Sequence, residues 1–332
     1  RSPLKQYQPD LIIGTVPALP TAAVTWLASK RFHAPYIIDL RDAWPDLLEM
    51  ADNWNSGIGT QSIRARILSR GPLQVVSWVT EKVVYLSLRE SRAIVATSQE
   101  LAEALSKREI LFKNATPPNV YTVRNVFPTA TDFVESRPRP CEKATLNVLY
   151  AGTIGRAQNL ENVLHALRKV NREQVRVKVR FVGSGAAKAE LIRQSTDLGD
   201  AVSFEPKRHA SDLAEYYSWA DTALVHLADW APLKRTVPSK LYELMEVRKH
   251  ITAVVDGEGA ELIQKHGAGV VVSPKNPVEL ANAWEQLLSD RSLLEVDSRG
   301  ATWVRNERTH EVPLILKTVL AKANTKRTGT GK

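Results

Sequence analysis

Short apolar runs, each followed by a loop of small or polar residues and then by a stretch with helical spacing, recur along this chain. That alternation predicts strands linked by crossover helices, and therefore parallel sheets. Segments 11–14, 36–40 and 94–97 read as buried strands of a first sheet, with helices over 21–31 and 99–107, the latter capped by Ser98. Segment 121–126 is a further strand candidate. Periodicity then breaks at the Ser-Arg-Pro-Arg-Pro run, 136–140, which reads as an interdomain linker. A second sheet is expected from 146–150, 177–182, 202–204, 222–225, 251–255 and 269–272. Asn276 followed by Pro277 opens one of its helices, whose inner stripe is Trp284, Leu287 and Leu288. The expected organisation is an N-terminal domain over 1–140, a C-terminal domain over 141–301, a helix over 302–323 that returns to the first domain, and a disordered polar tail, 324–332.

A length of 332 residues suits two domains of this size. The formal charge of +9 favours anionic partners: nucleotide phosphates, nucleic acid or an acidic membrane surface. Cys141 is the only cysteine, which excludes an intrachain disulfide and fits a reducing cytoplasm. The seven histidines form no metal-ligand pair such as HExxH, so no metal is expected. No run of about 18 apolar residues is present to span a bilayer, and peripheral attachment stays open. The start at Arg1, without methionine or a signal-peptide pattern, reads as processed or truncated.

Candidate chemistry centres on Val237–Glu243. Ser239 is read as a helix N-cap, so that free amides and the positive end of the helix dipole converge on one spot suited to an anion. Lys240 adds a full charge there, and Glu243, one turn on, can accept hydrogen bonds from two vicinal hydroxyls. An ordinary capped surface helix is the alternative. After the strand at 146–150, the glycines of Gly152-Thr153-Ile154-Gly155-Arg156 allow phosphate to approach, or else form only a tight corner, before a helix that Asn159 caps. The Gly183-Ser184-Gly185 loop is read as a corner. Asp42, at the end of a strand, either orients or deprotonates a hydroxyl or pairs with an arginine to pin its loop. Arg208 and His209, after another strand, are placed to meet a nucleobase. The segment 63–92 mixes Arg64, Arg66, Arg70, Arg89 and Arg92 with apolar residues; it could rest on anionic lipid or pack on its own sheet. No nucleic-acid-binding module or aromatic stacking motif is present.

Together these motifs resemble the group 1 glycosyltransferases, family 4 in the usual classification. The resemblance rests on AGTIGRAQNLENVLHAL at 151–167, FVGSG at 181–185, YYSWADTALVHL at 216–227, VPSKLYELM at 237–245 and GEGAELIQKHGAGVVVSPKNPVELANAWEQLL at 257–288. Weaker matches are PDLIIGTVPALP at 9–20, DLRDAWPD at 39–46 and VRNVFPTATDF at 123–133, all in the family's order. The resemblance implies an α/β fold of two Rossmann-like domains facing a cleft, the GT-B arrangement. It further implies retaining, metal-independent sugar transfer from a nucleotide-diphosphate donor, UDP-type by default, with no cofactor. By position, Gly152, Thr153, Gly155, Arg156, Arg235, Ser239 and Lys240 would hold the diphosphate. Glu243 would hold the ribose, Arg208 the base, and Gly257, Glu258 and Glu261 the donor sugar. Asp42 and Lys240 carry the catalytic expectation.

Three departures stand out against the family pattern. Arg235 replaces a common glutamate, and Thr153 and Gln158 replace the usual diphosphate arginine and lysine, as in a branch with VPSK helices. The first domain is also expected to lack the usual opening strands. The acceptor would be a carbohydrate or lipid-linked glycan of the cell envelope or an exopolysaccharide, met at the inner membrane surface through 63–92. A nucleotide-sugar epimerase and a noncatalytic nucleotide-sugar-binding scaffold are the alternatives, and nucleic acid is not an expected partner.

Overall fold

The computed structural model describes residues 8–49, 72–112, 117–126, 145–307 and 312–318. The chain divides into two compact units, one comprising Arg1–Arg124 with His310–Lys332 and the other Asn125–Thr309. Each is an open α/β layer built on one wholly parallel sheet.

The first unit runs β1 (Ile12–Val16), α1 (Pro20–Phe32), β2 (Tyr36–Leu40), α2 (Asp46–Glu49), α3 (Pro72–Arg89), β3 (Ala93–Ala96), α4 (Gln99–Ser106) and β4 (Asn119–Thr122). Its four strands among the described residues lie in the order β1-β2-β3-β4. The inner strands β2 and β3 are buried at every position, as strands covered on both faces must be. The edge strand β1 exposes Ile13 and Thr15. Helix α1 lies close on β1 because Gly14 has no side chain: a Cβ there would fall 2.0 Å from Thr25 Oγ1. Ser98 caps α4 as expected, its hydroxyl accepting the Leu101 amide at 3.2 Å.

In α3 the described side chains Val84, Ser87 and Leu88 are buried at helical spacing, and the Tyr36 hydroxyl donates to the Ser87 carbonyl. The described part of the 63–92 segment is therefore packed against its own sheet. Arg64, Arg66 and Arg70 lie outside the described residues, as do the 136–140 linker, Cys141 and the 324–332 tail.

The second unit runs β5 (Leu146–Ala151), α5 (Glu161–Val170), β6 (Val177–Val182), α6 (Lys188–Gln194), β7 (Val202–Glu205), α7 (Leu213–Trp219), β8 (Thr222–His226), α8 (Ala231–Lys234), α9 (Ser239–Glu246), β9 (Ile251–Val254), α10 (Glu258–His266), β10 (Gly269–Val272), α11 (Pro277–Ser289) and α12 (Arg299–Glu307). Its strand order is β10-β9-β8-β5-β6-β7. Leu146, Val148, Phe181, Val163, Leu167, Trp284 and Leu287 belong to one buried cluster that joins the sheet to α5 and α11. Asn276 caps α11 with its side-chain oxygen, accepting from the Val278 and Glu279 amides, and Pro277 takes the first helical position.

Within the helix expected over 302–323, the described residues are helical in α12 and over 312–318, labelled α13, while 308–311 and 319–323 lie outside the described residues. Ile315 of α13 is buried against Ile37, Ala93 and Val95 of the first sheet. Three expectations require correction. The strand expected at 121–126 is Asn119–Thr122. Asn159 does not cap α5; it sits in the left-handed region at φ 42°, which asparagine tolerates, and Leu160 holds the cap position. Ser239 does not cap α9 either. Pro238 occupies the cap with φ −59° and ψ 130°, and Ser239 is the first helical residue, with no side-chain cap bond.

Candidate functional site

The second sheet reverses its winding between β5 and β8: β6 and β7 extend one way, β9 and β10 the other. In open parallel sheets the crevice for a ligand lies beyond the carboxyl ends of the strands at such a switch point. The loops that leave β5, β8 and β9 at that edge carry most of the sequence-derived candidates.

After β5, the 152–155 loop is zipped to the loop after β6. The Gly152 amide donates to the Val182 carbonyl at 3.0 Å, the Ile154 amide to Ser184 at 2.9 Å, and the Ala187 amide to Ile154 at 3.0 Å. A Cβ on Gly183 would lie 1.9 Å from the Gly152 carbonyl oxygen, and one on Gly185 2.2 Å from that of Ile154. The Gly183-Ser184-Gly185 loop therefore owes its glycines to this close backbone approach, as the corner reading has it. Lys188 fastens the same turn, donating to the Gly183 carbonyl at 2.8 Å and the Glu205 carbonyl at 2.6 Å. Gly152 and Thr153 are exposed, and Arg156 is half-buried. Gln158 turns back so that its Oε1 accepts the Gly155 amide at 3.1 Å.

Across the switch point the Ala228 amide donates to the Ala157 carbonyl at 2.7 Å, tying the loop after β8 to the loop after β5. His226, fully buried at the end of β8, has Nε2 2.9 Å from Asn162 Nδ2. Burial lowers its pKa to about 3, so the imidazole is neutral and braces the two loops rather than shuttling protons.

The path from β8 leads through α8 to α9, whose start therefore lies at the carboxyl edge. Its first turn contains no acid and carries Lys240, opposite to the charge that a helix N-terminus favours. Lys240 Nζ pairs with Glu243 Oε2 at 2.7 Å, and the Tyr217 hydroxyl from α7 donates to Glu243 Oε1 at 2.5 Å. Both Glu243 oxygens are thus held. Each oxygen of a carboxylate has two acceptor directions, so each keeps one for a further donor. Ser239 is exposed and Arg235 half-buried beside this start. Lys234 pairs with Asp256 at 3.0 Å and approaches Asp229 at 3.7 Å; Lys275 binds Asp229 at 2.6 Å.

After β9, Gly257 has φ 66° and ψ −149°, a conformation reserved for glycine, and swings the chain into α10. Glu258, buried, and Glu261, exposed, stand in that helix's first turn, where their charge agrees with the dipole.

Two candidates lie on other loops. Arg208, after β7, is exposed and held by neighbours: its Nε donates to the Tyr216 hydroxyl at 3.0 Å, and its NH2 lies 3.5 Å from Glu205. Asp42 belongs to the first unit, just beyond β2. Arg41 pairs with Asp39 at 2.8 Å, and Thr15 donates to the same Asp39 oxygen at 3.1 Å, so the loop-pinning pair runs through Asp39. The half-buried Asp42 carboxyl has no such partner among the described residues, and desolvation raises its pKa. That combination suits a group that accepts a proton or hydrogen bond from a substrate hydroxyl.

Sequence reasoning missed Tyr217, the His226–Asn162 brace and the Lys188 clasp. Tyr217 reaches Glu243 across 26 positions of sequence, a pairing with no local signature.

Solved structures with the same architecture are glycosyltransferases of the two-domain GT-B type. Anabaena Alr3699/HepE in complex with UDP superposes with a TM-score of 0.63 at 16% identity, covering 97% of this chain and 78% of that one. Sucrose-phosphate synthase from Thermosynechococcus elongatus gives 0.64 at 17% identity, covering 98% and 74%. At these identities the likeness is one of fold. In sequence, residues 136–302 match the family model for glycosyl transferases group 1, and the chain belongs to that family. It is also 28% identical over 181 residues to the probable glycosyltransferase WbjE of Pseudomonas aeruginosa, a match over 53% of this chain and 43% of that protein. The chain thus aligns with less than half the length of this relative.

Proposed function

We propose that the protein is a retaining glycosyltransferase that moves a sugar from a nucleotide diphosphate, of UDP type, to a hydroxyl of a carbohydrate or lipid-linked acceptor. The observation that carries the reading is the start of α9: a lysine in a helix's first turn, against the dipole, paired with a carboxylate one turn on, at the carboxyl edge beside the switch point. Such a start suits a diphosphate on the Lys240 ammonium and the backbone amides of Ser239 and Lys240, and a ribose diol on Glu243.

Departure of the nucleotide diphosphate is the largest charge change of the reaction. Lys240, the α9 amides and the nearby Arg156 and Arg235 are the groups that stabilise it, so this reading requires no metal. Gly152, Thr153 and Gly155 give the phosphates a close backbone approach. Gly257, Glu258 and Glu261 offer acceptors to the sugar hydroxyls, Arg208 meets the base, and Asp42 takes the acceptor hydroxyl. Attack on the face from which the diphosphate leaves lets a donor phosphate oxygen receive the proton and retains anomeric configuration. The crystal forms of HepE with UDP and with UDP-glucose support a uridine nucleotide as the first donor to try.

No described helix is long and apolar enough to cross a membrane. The charge of +9 and the arginines of 63–92 support work at the anionic inner face of a membrane, in cell-envelope or exopolysaccharide synthesis. Thermal-shift screening of UDP-, GDP- and ADP-sugars, followed by product analysis with and without acceptor, tests the reading. Stabilisation by one nucleotide class and acceptor-dependent release of the diphosphate are expected. Sugar conversion without acceptor would indicate an epimerase instead, and binding without turnover a scaffold.

A further inference from the structure

We propose that Tyr217 is a positioning residue for donor recognition: its hydroxyl fixes the Glu243 carboxylate in the orientation that distinguishes a ribose diol from a deoxyribose. The inference rests on the reading of Glu243 as the ribose acceptor and goes beyond it by assigning a role to a residue on a different helix.

Tyr217 lies in α7 and is 1% exposed, so its ring is fixed by the core and cannot follow solvent. Its hydroxyl donates to Glu243 Oε1, while Lys240 Nζ holds Oε2. Burial and the adjacent Glu243 charge both raise the tyrosine's pKa, so the phenol stays protonated and remains a donor at any working pH. The two holds differ in kind. Lys240 is a flexible, partly exposed side chain with three donors, and an arriving diphosphate competes for it. Tyr217 has one donor, which it gives to Glu243 from a buried ring. When Lys240 turns to the phosphates, Tyr217 is the contact that keeps the carboxylate plane in place. One acceptor direction on each Glu243 oxygen is then aimed at one of two neighbouring hydroxyls.

The test is calorimetric titration of UDP and of 2′,3′-dideoxy-UDP into wild type, Tyr217→Phe and Glu243→Ala, with KM and kcat for the donor measured alongside. Hydrogen bonds to a charged group make the ribo-to-dideoxy affinity ratio about ten-fold or more in wild type. Tyr217→Phe is expected to cut that ratio to roughly two- to three-fold and to raise KM with kcat little changed. A ratio in Tyr217→Phe equal to that of wild type, with Glu243→Ala abolishing it, overturns the role of Tyr217 and leaves the ribose reading standing. A ratio untouched by Glu243→Ala overturns the ribose reading itself. Should the phenylalanine variant fail to fold, 3-fluorotyrosine placed at 217 keeps the shape with a more acidic hydroxyl. The ratio should then differ from that of wild type, and an unchanged ratio contradicts the proposal.

Discussion

Helices α9 and α10 follow neighbouring strands of the second sheet, and their first turns carry opposite charge. In α10 the pair Glu258 and Glu261 agrees with the dipole, and the entry is made by a glycine in a conformation other residues avoid. In α9 the entry is made by Pro238, whose ring fixes φ, and the charge is Lys240, which the dipole opposes. Local preference explains the first helix start without a ligand. The second departs from it, and such departures concentrate at functional sites. Glu243, one turn along, offsets the lysine in the ligand-free state and leaves its ammonium poised for an anion.

Breaking the α9 start should have the largest effect. Lys240→Ala is expected to lower kcat by about 10²–10³-fold, the range found when one preorganised charge-stabilising donor is removed. Steady-state assay of diphosphate release reads it directly. Next comes the α10 entry: Gly257→Ala forces a side chain into φ 66°, ψ −149° and should cost about 1–3 kcal/mol in urea unfolding. Smaller again is Glu261→Gln, which removes a charge that favours its helix. A stability loss of about 0.3–1 kcal/mol and a several-fold rise in donor KM are anticipated; a gain in stability would mean that Glu261 does not sense the dipole.

A further expected effect concerns pH and arises in the second unit. Burial lowers the pKa of His226 to about 3 and of His250 to about 4, from 6.5, and both lie in the second unit. Between pH 6.5 and about 4 the unfolded chain binds protons at these sites that the folded chain does not. Stability therefore falls as pH falls through that window, by up to about 1.4 kcal/mol per pH unit for each histidine. His250→Gln should flatten that slope in denaturant melts at stepped pH.

Much of the fold was legible because the strands stand out as short apolar or alternating runs bounded by loop residues. β2, buried at every position, β6, which alternates apolar residues with Lys178 and Arg180, and β10 match their expected bounds residue for residue, and the Asn276-Pro277 helix start is as expected. The caps were less legible. Pro-Ser and Asn-Leu sequences allow either residue to occupy the cap, and only the backbone angles decide, which moved the caps from Ser239 to Pro238 and from Asn159 to Leu160. Residue types at the candidate site could be read from the motifs, but their partners could not. Arg41 chooses Asp39 over Asp42, Gln158 occupies the Gly155 amide, and Tyr217 holds Glu243, all through register and tertiary contact.

The central claim is that the first turn of α9 grips a diphosphate. Calorimetric titration of UDP and of uridine into wild type and Lys240→Ala, at the same moderate salt, tests it most directly. The account predicts UDP binding weakened at least ten-fold by the substitution, with uridine binding unchanged. Equal UDP affinities in the two proteins would contradict it.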